Sequence, residues 1–143
     1  MVYDITVALC CYNSSNRLQS TLEHLFKQKL NSDIRWEVLI VDNNSNDNTA
    51  KVSKDIWKNF NSEINLTVIS EAMPGLSNAR KKAVNKAKGE LIVFCDDDNW
   101  LDENYLQIAF GFMKENPNVG VLGGKGEAVS SIDFPDWFTT YQG

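Results

Sequence analysis

Short, almost uninterrupted apolar runs alternate with longer segments whose apolar residues recur at helical spacing, and this alternation persists through most of the chain. Ile5–Cys10, Val38–Val41, Leu66–Ile69, Leu91–Cys95 and Val119–Leu122 have the length and composition of strands. Their hydrophobicity is nearly continuous, which suits strands covered on both faces, as in a parallel sheet. Leu18, Leu22, Leu25 and Phe26 predict a helix over roughly residues 15–29, with Ser14, Ser15 and Asn16 as cap candidates. Val52, Ile56 and Phe60 mark a second helix after the Ser45–Asn48 turn cluster. A third carries Leu76, Ala79, Ala83, Val84 and Ala87 and ends at Lys86, Lys88 and Gly89. Asp102 is placed to cap a fourth, carrying Tyr105, Leu106, Ala109, Phe112 and Met113. Right-handed crossovers convert this order into an α/β fold of three layers, α/β/α, with a mainly parallel twisted sheet and a single domain over residues 1–143. The tail, a Gly123-Gly124-Lys125-Gly126 run followed by Phe134-Pro135-Asp136-Trp137-Phe138, shows no closing element and reads as truncated.

A chain of 143 residues with 43% hydrophobic composition can bury a full core without metal or disulfides. Its net charge of −5 argues against holding nucleic acid by bulk electrostatics. Cys10, Cys11 and Cys95 read as small core residues, the adjacent pair pointing to opposite faces of a strand. No secretory signal and no span of about 20 apolar residues is present, which predicts a cytoplasmic protein, peripheral to the inner membrane face at most.

In an open parallel sheet, ligands bind beyond the carboxyl ends of the strands. Those ends are polar here: Cys11-Tyr12-Asn13 with Arg17 after the first strand, Asp42-Asn43-Asn44-Ser45 after the second, Glu71–Gly75 leading to Arg80 after the third, and Asp96-Asp97-Asp98-Asn99 after the fourth. Three consecutive carboxylates at the end of a buried strand need a cation, hydrogen-bond donors or solvent to accommodate them. A divalent metal shared with phosphate oxygens is the economical answer, against a solvated acidic turn as the plain alternative. Asp42 can accept from a base N–H or a ribose hydroxyl, or cap the following helix. Arg80 can meet a carboxylate or a diphosphate. Tyr12 can stack on a base or simply pack. His24 reads as structural, and among Trp36, Trp57, Trp100 and Trp137 only Trp100 is a candidate stacking platform. A dinucleotide fingerprint and a P-loop are both missing.

Taken together, these blocks resemble the inverting family 2 glycosyltransferases of the GT-A fold, whose sheet is Rossmann-like. The similarity runs from about Ile5 to Gly124 and comprises Tyr12-Asn13 with Arg17, Trp36–Ser45, Pro74–Arg80 and Phe94–Leu101, in that family's order. The resemblance implies a nucleoside-diphosphate sugar donor, UDP-linked by preference, an acceptor hydroxyl on a glycan or lipid-linked glycan, and Mg2+ or Mn2+ as cofactor. It assigns Tyr12, Asn13, Arg17, Asp42, Arg80, Asp96 and Asp97 to the nucleotide and Asp98 to the metal. It also places the general base in a second half, beyond Gly143, so that Asp133 and Asp136 are not assigned as base and this chain alone is expected to bind donor without transferring sugar. Self-association through an exposed sheet edge is a further expectation. The competing readings are a non-catalytic nucleotide- or metal-binding module and a nucleotidyltransferase.

Overall fold

The computed structural model describes residues 3–130 and 132–141. Its elements are β1 (Tyr3–Cys11), α1 (Leu18–Phe26), β2 (Trp36–Asp42), α2 (Thr49–Asn59), β3 (Asn65–Ser70), α3 (Leu76–Lys86), β4 (Gly89–Phe94), α4 (Tyr105–Glu115) and α5 (Asp136–Tyr141). The strands form one four-stranded sheet in the order β3-β2-β1-β4, and every pairing is parallel. In register, Cys11 lies beside Asp42 and Asp42 beside Ser70, so the chain leaves β1, β2 and β3 at the same edge. The ladder continues past β4 through the Cys95 N–H to the Ala8 carbonyl at 3.1 Å, bringing the acidic triplet to that edge too.

The alternation of side chains along each strand divides the core in two. Ile5, Val7, Leu9 and Cys11 of β1, with Val38 and Ile40 of β2, meet Leu18, Leu22 and Leu25 of α1, Ile56 and Trp57 of α2, and Leu106 of α4. On the other face Ala8, Leu39 and Val41 meet only Ala79 and Ala83 of α3, with Cys10, Ile69 and Ile92 partly covered. Cys10 and Cys11 therefore do face opposite sides. The two layers are unequal: the α3 layer uses small residues, and it leaves Phe94 and Val84 exposed.

Gly89 is where β4 begins, and its backbone lies so close to β1 that an added Cβ would stand 2.4 Å from the Thr6 nitrogen. Beneath this contact Glu37 is buried, accepting hydrogen bonds from the Thr6 hydroxyl at 3.1 Å and the Lys88 N–H at 3.2 Å. Lys88 Nζ adds its charge 3.5 Å from the same carboxylate. A buried carboxylate needs such donors, and here they hold the α3–β4 turn against the floor of the sheet.

Four expectations change. The N-cap of α4 is Asn104, not Asp102, which lies two residues earlier and accepts from the Asn104 N–H at 2.9 Å. Val119–Leu122 forms no strand: the segment is irregular and Val121 is 88% exposed, because among the described residues no strand lies beside it to complete a ladder. The first helix starts at Leu18, with residues 15–17 in turns and no side-chain cap; the Ser14 hydroxyl donates to Asp97 instead, and the Ser15 N–H to Asp47. The aromatic tail is not elementless, since Asp136–Tyr141 is helical and Phe134 stacks on Phe138 at 4.3 Å; Gln142 and Gly143 lie outside the described residues.

Candidate functional site

The loops after the strands are hydrogen-bonded to one another before any ligand is considered. Asn13 and Asn44, which follow β1 and β2, adopt left-handed backbone with φ of 50° and 59°, a conformation asparagine tolerates better than most residues. This turns the two loops together. The Asn13 N–H donates to Ser45 Oγ at 3.0 Å, the Asn46 N–H to Asn13 Oδ1 at 2.9 Å, and the Ser14 N–H to Thr49 Oγ1 at 2.8 Å. Asp47 accepts from the Ser15 N–H and from the Thr49 N–H and hydroxyl. Desolvation pushes the Asp47 carboxyl up, but these donors outweigh it and hold its pKa down at about 2.

Asn43 ties in the third loop. It is 5% exposed; its amide donates to the Met73 carbonyl at 2.6 Å and the Glu71 carbonyl at 3.2 Å, and its Oδ1 accepts from the Gly75 N–H at 2.8 Å. Gly75 has φ of 120°, which a side chain would resist, and it caps α3, the helix that carries Arg80. The sequence places Asn43 in the polar run after the second strand but does not reveal this role.

The acidic triplet meets its repulsion in three different ways. Asp97 and Asp98 occupy the centre of a turn closed by the Asn99 N–H onto the Asp96 carbonyl at 3.1 Å. Asp96 is exposed, with Arg80 Nη2 at 3.8 Å, and that guanidinium also lies over the Phe94 ring at 5.6 Å. Asp97 turns inward to accept from the Ser14 hydroxyl and from Arg17 Nη2 at 2.7 Å, while Thr21 donates to its carbonyl oxygen at 2.9 Å. Asp98 is exposed and makes no hydrogen bond or ion pair among the described residues. Asp97 and Arg17 are thus paired with each other, and the Asn13 side chain serves the loop junction.

Asp42 is half-buried; its Oδ1 accepts from the Ser45 N–H at 3.2 Å, leaving Oδ2 without a protein partner among the described residues. Tyr12 is 57% exposed one residue beyond β1, following Cys11, which pairs with Asp42 in the register. Trp100 is not a free platform, since it stacks on His24 at 5.4 Å, and the His24 ring approaches the Leu101 carbonyl at 3.3 Å. Cys10 lies at the same edge, its thiol raised to about 11 by burial, an effect the Arg80 charge only partly offsets.

The edge therefore presents one carboxylate with a free oxygen, an exposed ring on the adjacent loop, a guanidinium, and two outward carboxylates. Among the described residues no three carboxylate, imidazole or thiol groups form a ready metal cage. Two concavities lie elsewhere: an apolar groove of about 350 Å3 between α4 and residues 122–124, and one of about 460 Å3 at the opposite end of the sheet.

The family model for glycosyl transferase family 2 matches residues 6–137. The chain belongs to that family. Poly-beta-1,6-N-acetyl-D-glucosamine synthase of Staphylococcus epidermidis is 28% identical over 123 residues, covering 86% of this chain and 28% of that protein. The crystal structure of S. aureus TarS 1-349 in complex with UDP superposes with a TM-score of 0.70 at 28% identity, over 80% of this chain and 33% of that one. The mannosyltransferase PcManGT from Pyrobaculum calidifontis, in complex with GDP-Man and Mn2+, gives 0.70 at 25% identity, over 79% and 33%. The chain thus spans about a third or less of these proteins. Its four-stranded parallel sheet is the family's GT-A, Rossmann-like layer. No helix among the described residues is long and apolar enough to cross a membrane.

Proposed function

We propose that the strand-end edge binds the nucleoside diphosphate of a sugar donor, with uridine as the base, and serves metal-assisted inverting transfer of the sugar to an acceptor hydroxyl. The observation that carries this reading is the pairing of Asp42, with an unpartnered oxygen, and exposed Asp98 on one sheet edge, with Arg80 and Asp96 in contact at that same edge. UDP bound by TarS, and GDP-Man with Mn2+ bound by PcManGT, support the donor class and the metal.

Each group has a distinct task. Asp42 Oδ2 accepts from a base N–H, and Tyr12 offers its ring to the base face. Asp96 accepts from the ribose, while the Arg80 guanidinium, held over Phe94, contributes positive charge to the nucleotide. Asp98, with Asp96 as its neighbour, would hold Mg2+ or Mn2+. When bound, the ion stabilises negative charge that builds on the diphosphate as the anomeric bond breaks. The acceptor oxygen approaches from the opposite face of the sugar and gives its proton to a carboxylate base; Asp133 and Asp136 lie in the exposed stretch at and before α5, and neither is assigned that role.

Calorimetric titration with UDP, with and without Mn2+, tests this directly. Wild-type chain should bind UDP more tightly with Mn2+, Asp98→Ala should lose the metal-dependent part, and Asp42→Ala should weaken UDP binding under both conditions. GDP binding tighter than UDP would refute the uridine assignment. Identical titrations for all three proteins would refute the site.

A further inference from the structure

The middle carboxylate of the triplet faces away from the ligands expected of its neighbours. Its side chain is 13% exposed, and Arg17 and Ser14 approach it from the loop ahead of α1. We propose that Asp97 is a positioning residue: clamped by Arg17 and Ser14, it fixes the turn that presents Asp96 and Asp98 and couples that turn to the loop carrying Tyr12. This rests on reading the edge as a metal-assisted nucleotide site.

Asp97 and Asp98 are the central residues of a single turn, so anchoring the first decides where the second points. Thr21 secures the backbone of the turn by donating to the Asp97 carbonyl at 2.9 Å. The guanidinium neutralises the middle charge, which otherwise would drive adjacent carboxylates apart. The Asp97 hydrogen bond and then its charge raise the pKa of Arg17. From Ser14 the link continues through its N–H to Thr49 at the start of α2, 2.8 Å away. Nucleoside-binding and metal-binding loops therefore share one set of hydrogen bonds. Arg17 is itself half exposed, so its loss should disturb the turn far more than the core.

The test uses the full chain and four variants: Arg17→Gln, Arg17→Lys, Asp97→Asn, and Arg17→Gln with Asp97→Asn. Mn2+ alone is titrated and followed by electron paramagnetic resonance, UDP by calorimetry. Each of Arg17→Gln and Asp97→Asn should weaken Mn2+ binding about tenfold, the low end for groups that orient metal ligands, and the double variant should be no worse than either. Arg17→Lys should recover most of the loss, and UDP binding without metal should weaken as well, by less than Mn2+ binding, because the same turn presents Asp96 to the ribose. Losses that multiply in the double variant would mean that the two residues touch ligand independently, and would overturn the proposal. Amide hydrogen exchange gives a ligand-free readout: residues 96–99 should exchange faster in Arg17→Gln, and unchanged exchange would overturn the clamp. Faster exchange in a chain that binds neither Mn2+ nor UDP would uphold the clamp and sink the donor-site reading instead.

Discussion

Replacing Asn43 by alanine should loosen the strand-end loops without unfolding the sheet. The amide donates at 2.6 and 3.2 Å and accepts at 2.8 Å, from a position only 5% exposed. Each such bond contributes about 1 kcal/mol net, so the upper limit is about 3 kcal/mol. Residues 72–75 are exposed, so water can replace part of what the amide supplies, and about 2 kcal/mol is the expected loss. For a chain of this length that lowers the thermal midpoint by about 4–8 °C. Asn43→Asp sharpens the argument: it keeps an acceptor for the Gly75 N–H but sets a negative charge against the Glu71 and Met73 carbonyl oxygens, beside Asp42. It should be at least as damaging as alanine at pH 7 and improve in acid, where a protonated carboxyl becomes a donor. Urea unfolding followed by tryptophan fluorescence measures both. Because Gly75 starts the helix that carries Arg80, UDP affinity should also fall in the folded Asn43→Ala protein. A loss below about 0.5 kcal/mol, the range of ordinary surface changes, or an Asn43→Asp variant as stable as wild type at pH 7, would refute the reasoning.

Gly89→Ala should be among the most destabilising single changes, at or above the about 1–3 kcal/mol usual for overpacking, because its Cβ would meet the backbone at Thr6 N, 2.4 Å, and Ile5 C, 2.5 Å; circular dichroism and chemical denaturation decide it. Asp47 has its carboxyl held at about 2 against an ordinary 3.8, so the stability it contributes is complete above pH 4 and is lost as pH falls from about 4 to 2. The stability gap between wild type and Asp47→Ala should therefore close over that interval, and a gap independent of pH would contradict it. Burial raises the Cys10 thiol to about 11 and the Cys95 thiol to about 12, so iodoacetamide at pH 8 should label neither quickly in the native chain and both in urea. Rapid native labelling of Cys10 would show that the strand-end edge is more open than its hydrogen bonds imply.

The four paired strands were legible because a strand buried on both faces must be apolar at nearly every position, as Val38–Val41 and Leu91–Val93 are. The same criterion misled at Val119–Leu122, where composition permits a strand but no neighbour is present among the described residues to supply the ladder. Asp42, Arg80 and Asp98 could be nominated because their types and positions after strands carry chemistry on their face. Asn43 and Ser14 could not, since nothing in Asn43-Asn44 or Ser14-Ser15 tells which amide or hydroxyl will be buried. The one available signal was the position of Asn43 immediately after a buried strand, where any polar side chain needs partners.

Local periodicity determined the order of elements, the parallel sense of the sheet and the collection of polar residues at one edge, because those follow from which face of each segment avoids water. The division of labour within Asp96-Asp97-Asp98 was decided only by the tertiary structure. Asp97 turns inward because Ser14 and Arg17, 83 and 80 residues away in the chain, stand ready to satisfy it, whereas Asp96 meets Arg80 of α3 and Asp98 meets solvent. Three identical side chains in a row carry the same sequence information. Their different surroundings arise only when β1 and β4 lie side by side and bring the loop ahead of α1 against the acidic turn.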